Sequence, residues 1–455
     1  MRDATETAEL VRSGQASAAE VAREHLDRLP GLDGEIGSVW LVTEERAMAE
    51  AEAVDRSLAA GADPGPLAGV PVGWKDLIET AGIRTTYGSA IWRDNVPEHD
   101  ADVVARLAAA GALTIAKLAT HELAWGTTTD NPWFGTCRNP HDTSRVPGGS
   151  SGGSAAALAA GILPLAPGTD TGGSIRCPAS CCGVVGLKPT YGRVSLGGIH
   201  PLCTSLDHCG PMARSVRDCA LALELMAGPS ARDPRAPAVP VERYRDALGR
   251  GVRGMRIGVA ERYFFEHTAA DVAAPARAAL EALAEAGAEL VEFDVGWPPD
   301  RDFADGRFYL AEMAATLVDH WPQRADELGP EVRRDCAAAE GVAAVDVAAI
   351  GERRLAWCAE LEQRARAAGI TLVATPSQPC TPPPVGTTSL PFAGHDEVDV
   401  SAVMCGLTEV FDVNGWPAIS VPAGTDAAGM PAGLQLAALP WREADCLAAA
   451  AVLMP

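Results

Sequence analysis

The chain has 455 residues, of which 47% are hydrophobic and 21% charged, a globular balance that can bury a sizeable core. Its formal net charge of −23 at pH 7 disfavours direct binding to nucleic acid or to anionic lipid. It has no apolar run of about 18 residues and no basic segment before an apolar one at its start, so neither a membrane span nor a signal peptide is predicted. We therefore expect a cytoplasmic protein whose twelve cysteines are reduced and mostly buried.

The first 60 residues have the pattern of helices. Ser17 and Glu20 form a capping box that begins a helix to about Asp27, and an Ala- and Glu-rich helix follows over about 44–60. Further on, a helix followed by glycine and a strand occurs three times, which is typical of α/β architecture. These helix–strand pairs are 102–110 with 113–117, 276–287 with 289–293, and 360–369 with 370–374.

The remaining elements are predicted from apolar runs and breakers. Residues 67–76 form a short apolar strand that ends on Lys75 and Asp76, and residues 121–147 are loop-like. A helical insertion is predicted over about 303–368, and a Pro-rich crossing loop over 375–384. Other predicted strands are 162–166, 183–187, 255–260, 418–422 and 432–439, and other predicted helices are 154–160 and those that begin at Ser215 and Glu443.

The usage of basic residues singles out the lysines. The chain has 34 arginines but only three lysines, Lys75, Lys117 and Lys188. A buried lysine can lose its proton, whereas arginine effectively cannot. Each of the three lysines is therefore a candidate base.

Two clusters of glycine and serine occupy residues 148–154 and 168–174. Neither is followed by the lysine of a phosphate-binding P-loop, and the GxGxxG of Gly249, Gly251 and Gly254 precedes a predicted strand instead of following one. Neither cluster is therefore interpreted as a nucleotide site.

Residues 148–152 also match the G-x-S-x-G elbow of α/β-hydrolases, with Ser150 as the nucleophile. Pro147 is a poor end for the strand that such an elbow requires. This alternative needs a histidine base, for which the candidates are His200, His208, His267, His320 and His395.

No zinc signature is present, and no metal or organic cofactor is predicted. A serine activated by a lysine base from elsewhere in the fold fits the residues better. Residues 171–174, which read Thr-Gly-Gly-Ser, can present successive backbone N–H groups to a developing oxyanion.

These segments resemble the amidase signature family. The similar segments are VPVGWKD at 70–76, KLATHELAWG at 117–126, GGSSGGSAAALAAG at 148–161, GTDTGGSIRCPA at 168–179, GLKPTYGR at 186–193, SLDHCGPMARSVRDCA at 205–220, GWPAISVPAG at 415–424 and GLQLAALPW at 433–441. The resemblance implies an α/β fold with a large mixed central sheet covered by helices on both faces. It also implies one domain over 1–455, with an N-terminal helical layer (1–62), a signature core (66–222), a variable α/β portion (250–375) and C-terminal strands and a helix (405–455).

The resemblance assigns roles to residues one by one. Ser174 is the implied nucleophile, Ser150 the bridging serine after a cis peptide bond from Gly149, and Lys75 the base. The implied oxyanion donors are the N–H groups of Thr171, Gly172 and Gly173. The implied supporting residues are Ser151, Ser154, Asp170 and Arg176, and the substrate pocket is expected to include Trp125, Gly126 and Thr127.

The implied activity is hydrolysis of a carboxamide or carbamoyl-type small molecule. RNPHDTSR at 138–145 and GLQLAALPW resemble family members that hydrolyse 1-carboxybiuret, and indoleacetamide hydrolases are similar too. The alternative is a glutamine-hydrolysing subunit of a tRNA-dependent amidotransferase. We expect either a homodimer or a small helical partner subunit.

Overall fold

A computed structural model describes residues 2–297 and 306–454 of the chain. The helices are α1 (Ala4–Arg12), α2 (Ala18–Asp33), α3 (Glu44–Ala59), α4 (Asp102–Ala109), α5 (Gly152–Ala159), α6 (Arg176–Cys182), α7 (Val216–Met226), α8 (Ala270–Glu285), α9 (Arg307–Ala315), α10 (Pro330–Ala339), α11 (Ala344–Ala367), α12 (Val400–Cys405), α13 (Val410–Val413) and α14 (Glu443–Leu453). The strands are β1 (Val39–Val42), β2 (Pro71–Lys75), β3 (Leu113–Leu118), β4 (Asp130–Asn131), β5 (Gly135–Thr136), β6 (Gly168–Asp170), β7 (Val185–Lys188), β8 (His208–Gly210), β9 (Met212–Ala213), β10 (Arg256–Val259), β11 (Glu289–Glu292), β12 (Leu372–Pro376), β13 (Ser389–Phe392), β14 (His395–Asp399), β15 (Ala418–Thr425) and β16 (Pro431–Ala438).

Seven strands form a mixed sheet in the order β11-β10-β12-β16-β15-β7-β9. β10 is parallel to β11 and β12, whereas the pairs from β12 through β9 are antiparallel. A second sheet has the order β1-β3-β2. Leu165 links the two sheets through one bridge to Val72 and one to Ala213. The predicted α/β fold with a large mixed sheet is confirmed.

Helices cover both faces of the central sheet. All eight residues of β16 are buried, as expected for a strand packed on both sides. Leu434 and Leu436 belong to a hydrophobic cluster that includes residues of α7, α8 and α14. Ala437 belongs to a different cluster that contains α11 residues. The alternation along β16 therefore places two separate cores on the two faces.

Several predicted boundaries are wrong. α2 continues to Asp33 because Leu26 and Leu29 extend its buried face, and β1 lies within the segment predicted to be helical. The predicted strand over 162–166 is reduced to the bridges of Leu165, since Pro164 has no N–H for a ladder. The hairpin of β13 and β14 was not predicted.

The helical insertion consists of α9, α10 and α11 in the described residues, while residues 303–305 of its predicted range lie outside them. All twelve cysteines are free, and nine of them are buried. Within the described ranges, no helix is long and apolar enough to cross a membrane. The single-domain organisation stays a prediction.

Candidate active site

Lys75 is the last residue of β2, and its side chain is completely buried. Its Nζ lies 2.7 Å from Ser150 Oγ, 2.9 Å from Ser151 Oγ and 2.7 Å from Thr169 Oγ1. Burial lowers the pKa of Lys75 to about 7, against the opposing effect of nearby carboxylates. A large fraction of this amine is therefore neutral near pH 7.

The three contacts of Nζ match the valence of a neutral amine. A neutral amine donates two hydrogen bonds and accepts one. Ser151 Oγ is also 3.2 Å from the carbonyl oxygen of Thr169, to which its hydroxyl donates, so it accepts from Lys75. When a neutral Lys75 donates to Ser151 and Thr169, its lone pair is left for the hydroxyl of Ser150, 2.7 Å away. Neutral Lys75 can thus accept the Ser150 proton.

The first glycine cluster holds Ser150 against Lys75. The peptide bond between Gly149 and Ser150 is cis, as the resemblance implies. Thr129 Oγ1 donates to the carbonyl oxygen of Gly148 (2.8 Å), and the N–H of Gly152 donates to Thr129 Oγ1 (3.2 Å). A Cβ on Gly149 would lie 2.8 Å from the Thr127 carbonyl carbon, so no larger residue fits there.

The second cluster begins with β6 (Gly168–Asp170), and the turn of residues 171–174 follows that strand. Gly173 has a φ of +136°, and a Cβ there would lie 2.0 Å from Thr408 Oγ1. The same hydroxyl donates to the carbonyl oxygen of Gly172 at 2.6 Å. Among the described residues, none accepts from the N–H groups of Thr171, Gly172 and Gly173. These three donors remain available for an oxyanion.

Asp170 and Arg176 fix the turn that carries Ser174. The N–H of Ile175 donates to Asp170 Oδ2 (3.0 Å), and the Arg176 guanidinium donates to both Asp170 carboxylate oxygens (3.0 and 2.8 Å). Burial alone would raise the pKa of Asp170, but Arg176 holds it well below its usual range. Arg176 also contacts Asp412 (2.5 Å) and Gln435 Oε1 (2.6 Å). Because every residue of this network is buried, the turn that carries Ser174 is rigidly supported.

The other predicted supporting serine lies deeper. Ser154 is completely buried in α5, and its Oγ donates to the carbonyl oxygen of Pro167 at 3.2 Å. It therefore connects α5 to the residue that directly precedes β6. A Cβ on Gly153 would lie 2.5 Å from the backbone of Ala119, so the helix approaches the end of β3 closely.

A cavity of about 220 Å³ lies beside Ser174. Trp125, Gly126 and Thr127, the predicted pocket residues, all line it together with Thr171 and Gly172. Trp125 is 6% exposed, and its Nε1 donates to Asp335 Oδ2 at 2.9 Å. The predicted nucleophile, two of the predicted oxyanion donors and the predicted pocket residues thus line one cavity.

The other two lysines, Lys117 and Lys188, are buried and hydrogen-bonded away from Ser150. Lys117 Nζ donates to Thr85 Oγ1 (2.8 Å) and lies 3.5 Å from Asp76. Lys188 Nζ donates to the carbonyl oxygen of Trp416 at 2.6 Å. Burial lowers the pKa of each to about 8, yet no serine hydroxyl of the described residues is among their hydrogen-bond partners. Of the three lysines, Lys75 alone is placed to be the base for Ser150.

The histidine alternative is contradicted by the geometry. The residues before Ser150 form a turn instead of a strand, and no histidine of the described ranges contacts its hydroxyl. His208 lies beside Lys188 (3.2 Å), and His200 stacks on Tyr87 with ring centroids 4.3 Å apart. The other three candidates form ring contacts or are exposed: His267 with Tyr263, His320 with Trp92, and His395 at the start of β14.

Sequence reasoning missed three residues that support the turns. Thr169 contacts Lys75, Thr408 contacts Gly172, and Asp207 accepts from Thr171 Oγ1 at 2.6 Å. Thr169 and Asp207 lie inside segments that carry the family resemblance, so position could have indicated them. Thr408 follows the hairpin, in a segment without a motif. Among the described residues, no three His, Cys, Asp or Glu side chains are grouped so as to hold a metal ion.

Comparisons with known proteins agree along the whole chain. The family model described as Amidase matches residues 20–447. A Glutamyl-tRNA(Gln) amidotransferase subunit of Koribacter versatilis (strain Ellin345) is 38% identical over 98% of this chain and 96% of its own length. The structure of a vestigial protein complex, described as revealing the evolutionary origins of an s-triazine catabolic enzyme, superposes with a TM-score of 0.93 at 36% identity, covering 99% of this chain and 98% of that one. A 6-aminohexanoate cyclic dimer hydrolase has a TM-score of 0.89 at 31% identity, with 99% and 96% covered. The chain therefore belongs to the amidase signature family, whose hydrolases act on C–N bonds.

Proposed function

We propose that this chain hydrolyses the C–N bond of a carboxamide or carbamoyl-type small molecule through an acyl-enzyme on Ser174. The proposal assigns Lys75 as the base, Ser150 as the proton bridge and residues 171–173 as the oxyanion donors. The observation that carries it is the 2.7 Å contact between Ser150 Oγ and a buried amine whose pKa is about 7.

In the proposed reaction, neutral Lys75 takes the Ser150 proton while Ser150 takes the proton of Ser174. Ser174 Oγ forms a bond to the amide carbon, and the carbonyl oxygen becomes an oxyanion held by three N–H groups. Collapse of this intermediate breaks the C–N bond, and the relay returns the proton to the leaving nitrogen. Water then attacks the acyl-enzyme by the same steps, giving a carboxylic acid and regenerating Ser174.

A second candidate is a glutamine-hydrolysing component within an amidotransferase. The shared name of the most similar curated relatives supports this setting better than that of a free-standing small-molecule amidase. In this setting a small helical partner binds the chain and the released ammonia passes to a second reaction. Co-purification of such a partner, with glutaminase activity only in its presence, would support it.

The test is an ammonia-release screen across carboxamides, ureas, aryl acetamides and glutamine. The wild-type chain is compared with Ser174→Ala and with Ser144→Ala, a control at an exposed serine. We expect ammonia from at least one amide with wild type and Ser144→Ala, and none above background with Ser174→Ala. Equal activity in Ser174→Ala would overturn the assignment of the nucleophile.

A further inference from the structure

The cavity beside Ser174 has an uneven set of charges. Four carboxylates line it, Glu331, Asp335, Asp399 and Glu409, but Arg334 is the only lysine or arginine among its described lining residues. A substrate group that enters this space therefore meets mainly negative charge.

Three of the four carboxylates already have partners. Glu331 is 2.9 Å from His121 Nε2. Asp335 accepts from the Arg334 Nε at 2.7 Å, and Arg334 also reaches Asp399 at 3.2 Å. Since the single Arg334 charge is shared by two carboxylates, no lining cation of the described part remains for a carboxylate on the substrate.

Glu409 is different from the other three. In the described part of the chain, no group donates a hydrogen bond to its carboxylate or forms an ion pair with it. Burial raises its pKa to about 7. The Glu409 side chain is only partly buried, so its carboxylate is accessible from the cavity and can pair with a ligand that supplies a donor or a positive charge.

Two hydroxyl groups of the same cavity also lack partners among the described residues. Thr127 is 2% exposed, and its Oγ1 has no hydrogen bond. The buried hydroxyl of Tyr309 has no hydrogen bond either. Both hydroxyl oxygens are shielded from solvent, whereas the Glu409 carboxylate is not, so the carboxylate is the acceptor that a ligand in the cavity reaches. A protonated amine has N–H donors, a positive charge and no acceptor, which matches an unpartnered carboxylate.

Glu409 lies close to the reacting centre. A Cβ on Gly172 would be 3.8 Å from Glu409 Cβ, and Gly172 is one of the proposed oxyanion donors. A group held by Glu409 would therefore belong to the acyl part of the substrate, near the scissile carbonyl.

We propose that Glu409 selects amides whose acyl part carries a protonated amine and no carboxylate. This inference rests on the proposed function, because it names the substrate class of the same site. A charge-assisted hydrogen bond of this kind corresponds to about 10- to 100-fold in kcat/KM.

The test uses amides that differ only in the terminal group. At each of several chain lengths, an amine-bearing amide is compared with its alkyl isostere and its carboxylate analogue, for example 4-aminobutanamide, pentanamide and glutaramate. Glutamine, which carries both charges, is measured in parallel. We expect the best amine-bearing amide to exceed its alkyl isostere about tenfold or more in kcat/KM, and to exceed glutamine as well.

Two glutamate variants locate the effect. Glu409→Gln keeps the shape of the side chain and should remove most of the amine preference, measured as the ratio of kcat/KM for the amine-bearing amide to kcat/KM for its alkyl isostere. Glu397→Gln makes the same change of charge on exposed β14 and should keep the preference. Equal rates for amine and alkyl amides, a preference for the carboxylate or glutamine, or an amine preference that survives Glu409→Gln would overturn the proposal.

Labelling with a fluorophosphonate separates the two levels of failure. If Ser174 is labelled and alkyl amides are hydrolysed without an amine preference, the substrate class is wrong while the proposed function stands. If Ser174 is not labelled and no amide is hydrolysed, the proposed function is wrong and the amine subsite is wrong with it.

Discussion

Residues 66–222 and residues 306–409 form opposite sides of one cavity, but their polar side chains are held in different ways. On the first side, Lys75, Asp170 and Arg176 are fully buried and have several partners each. On the second side, the side chains of Arg334 and Glu331 are 58% and 42% exposed. Exposed ion pairs stabilise a fold by little, typically about 0–1 kcal/mol. The buried networks of the first side hold the proposed reacting groups, whereas the insertion contributes exposed ion pairs to the cavity wall.

The largest expected effect on activity comes from replacing Lys75, which belongs to residues 66–222. Lys75→Arg keeps the charge but cannot accept a proton at neutral pH, so kcat should fall about 10⁴-fold or more. His200→Gln is the control, because the histidine alternative predicts the opposite ranking. Both variants are measured for amide hydrolysis and for thermal unfolding, so that lost activity is not confused with lost fold. Substantial activity in Lys75→Arg would contradict the base assignment.

The pH dependence of activity is a second test of Lys75 as the base. Because the neutral amine is the active form, kcat/KM for an uncharged amide such as pentanamide should rise about tenfold per unit at acid pH. It should level off above the Lys75 pKa of about 7. The use of an uncharged amide removes ionisation of the substrate from the profile. A break near the ordinary lysine value would show that burial does not depress this pKa.

Substitutions in the two regions should differ in how much they lower the free energy of unfolding. Removal of one partner from a buried ion pair leaves uncompensated charge, so Arg176→Ala should lower the free energy of unfolding by about 3–5 kcal/mol. Arg366→Ala, at an exposed pair with Glu362 on the insertion, should lower it by less than about 1 kcal/mol. Denaturant unfolding measures both. Similar losses would remove the contrast on which the comparison rests.

The smallest expected effect on activity comes from Thr408, which belongs to residues 306–409 and contacts Gly172 of residues 66–222. Thr408→Val removes the hydrogen bond to the Gly172 carbonyl and should lower kcat about 3- to 10-fold, with little change in KM. Thr388→Val, at an exposed threonine directly before β13, is the control. A larger change in KM than in kcat would show that Thr408 acts on substrate binding and not on the oxyanion donors.

The sequence predicts the two sides of the cavity to different depths. The glycines of residues 148–154 and 168–174 indicate the turns directly, since at Gly149 and Gly173 a Cβ would strike Thr127 and Thr408. The lysine base also follows from composition and resemblance. Both signals arise because backbone contacts and proton transfer tolerate few residue types.

No motif in the sequence indicates the cavity-lining residues of 306–409. Glu409 is a single carboxylate among many in an acidic chain, and its lack of partners depends on which side chains the fold places around the cavity. Tertiary packing decides this feature. The strand predicted over 162–166 fails for a different reason, because Pro164 lacks the N–H that a ladder needs and only the bridges of Leu165 remain.

The most direct measurement is to trap the acyl-enzyme step and locate it on the chain. The wild-type protein is treated with a fluorophosphonate, and intact mass followed by peptide mapping identifies the modified residue. Our account predicts a single adduct on Ser174, formed far more slowly in Lys75→Arg and absent from Ser174→Ala. An adduct on Ser150, or labelling of Ser174 that does not depend on Lys75, would contradict it.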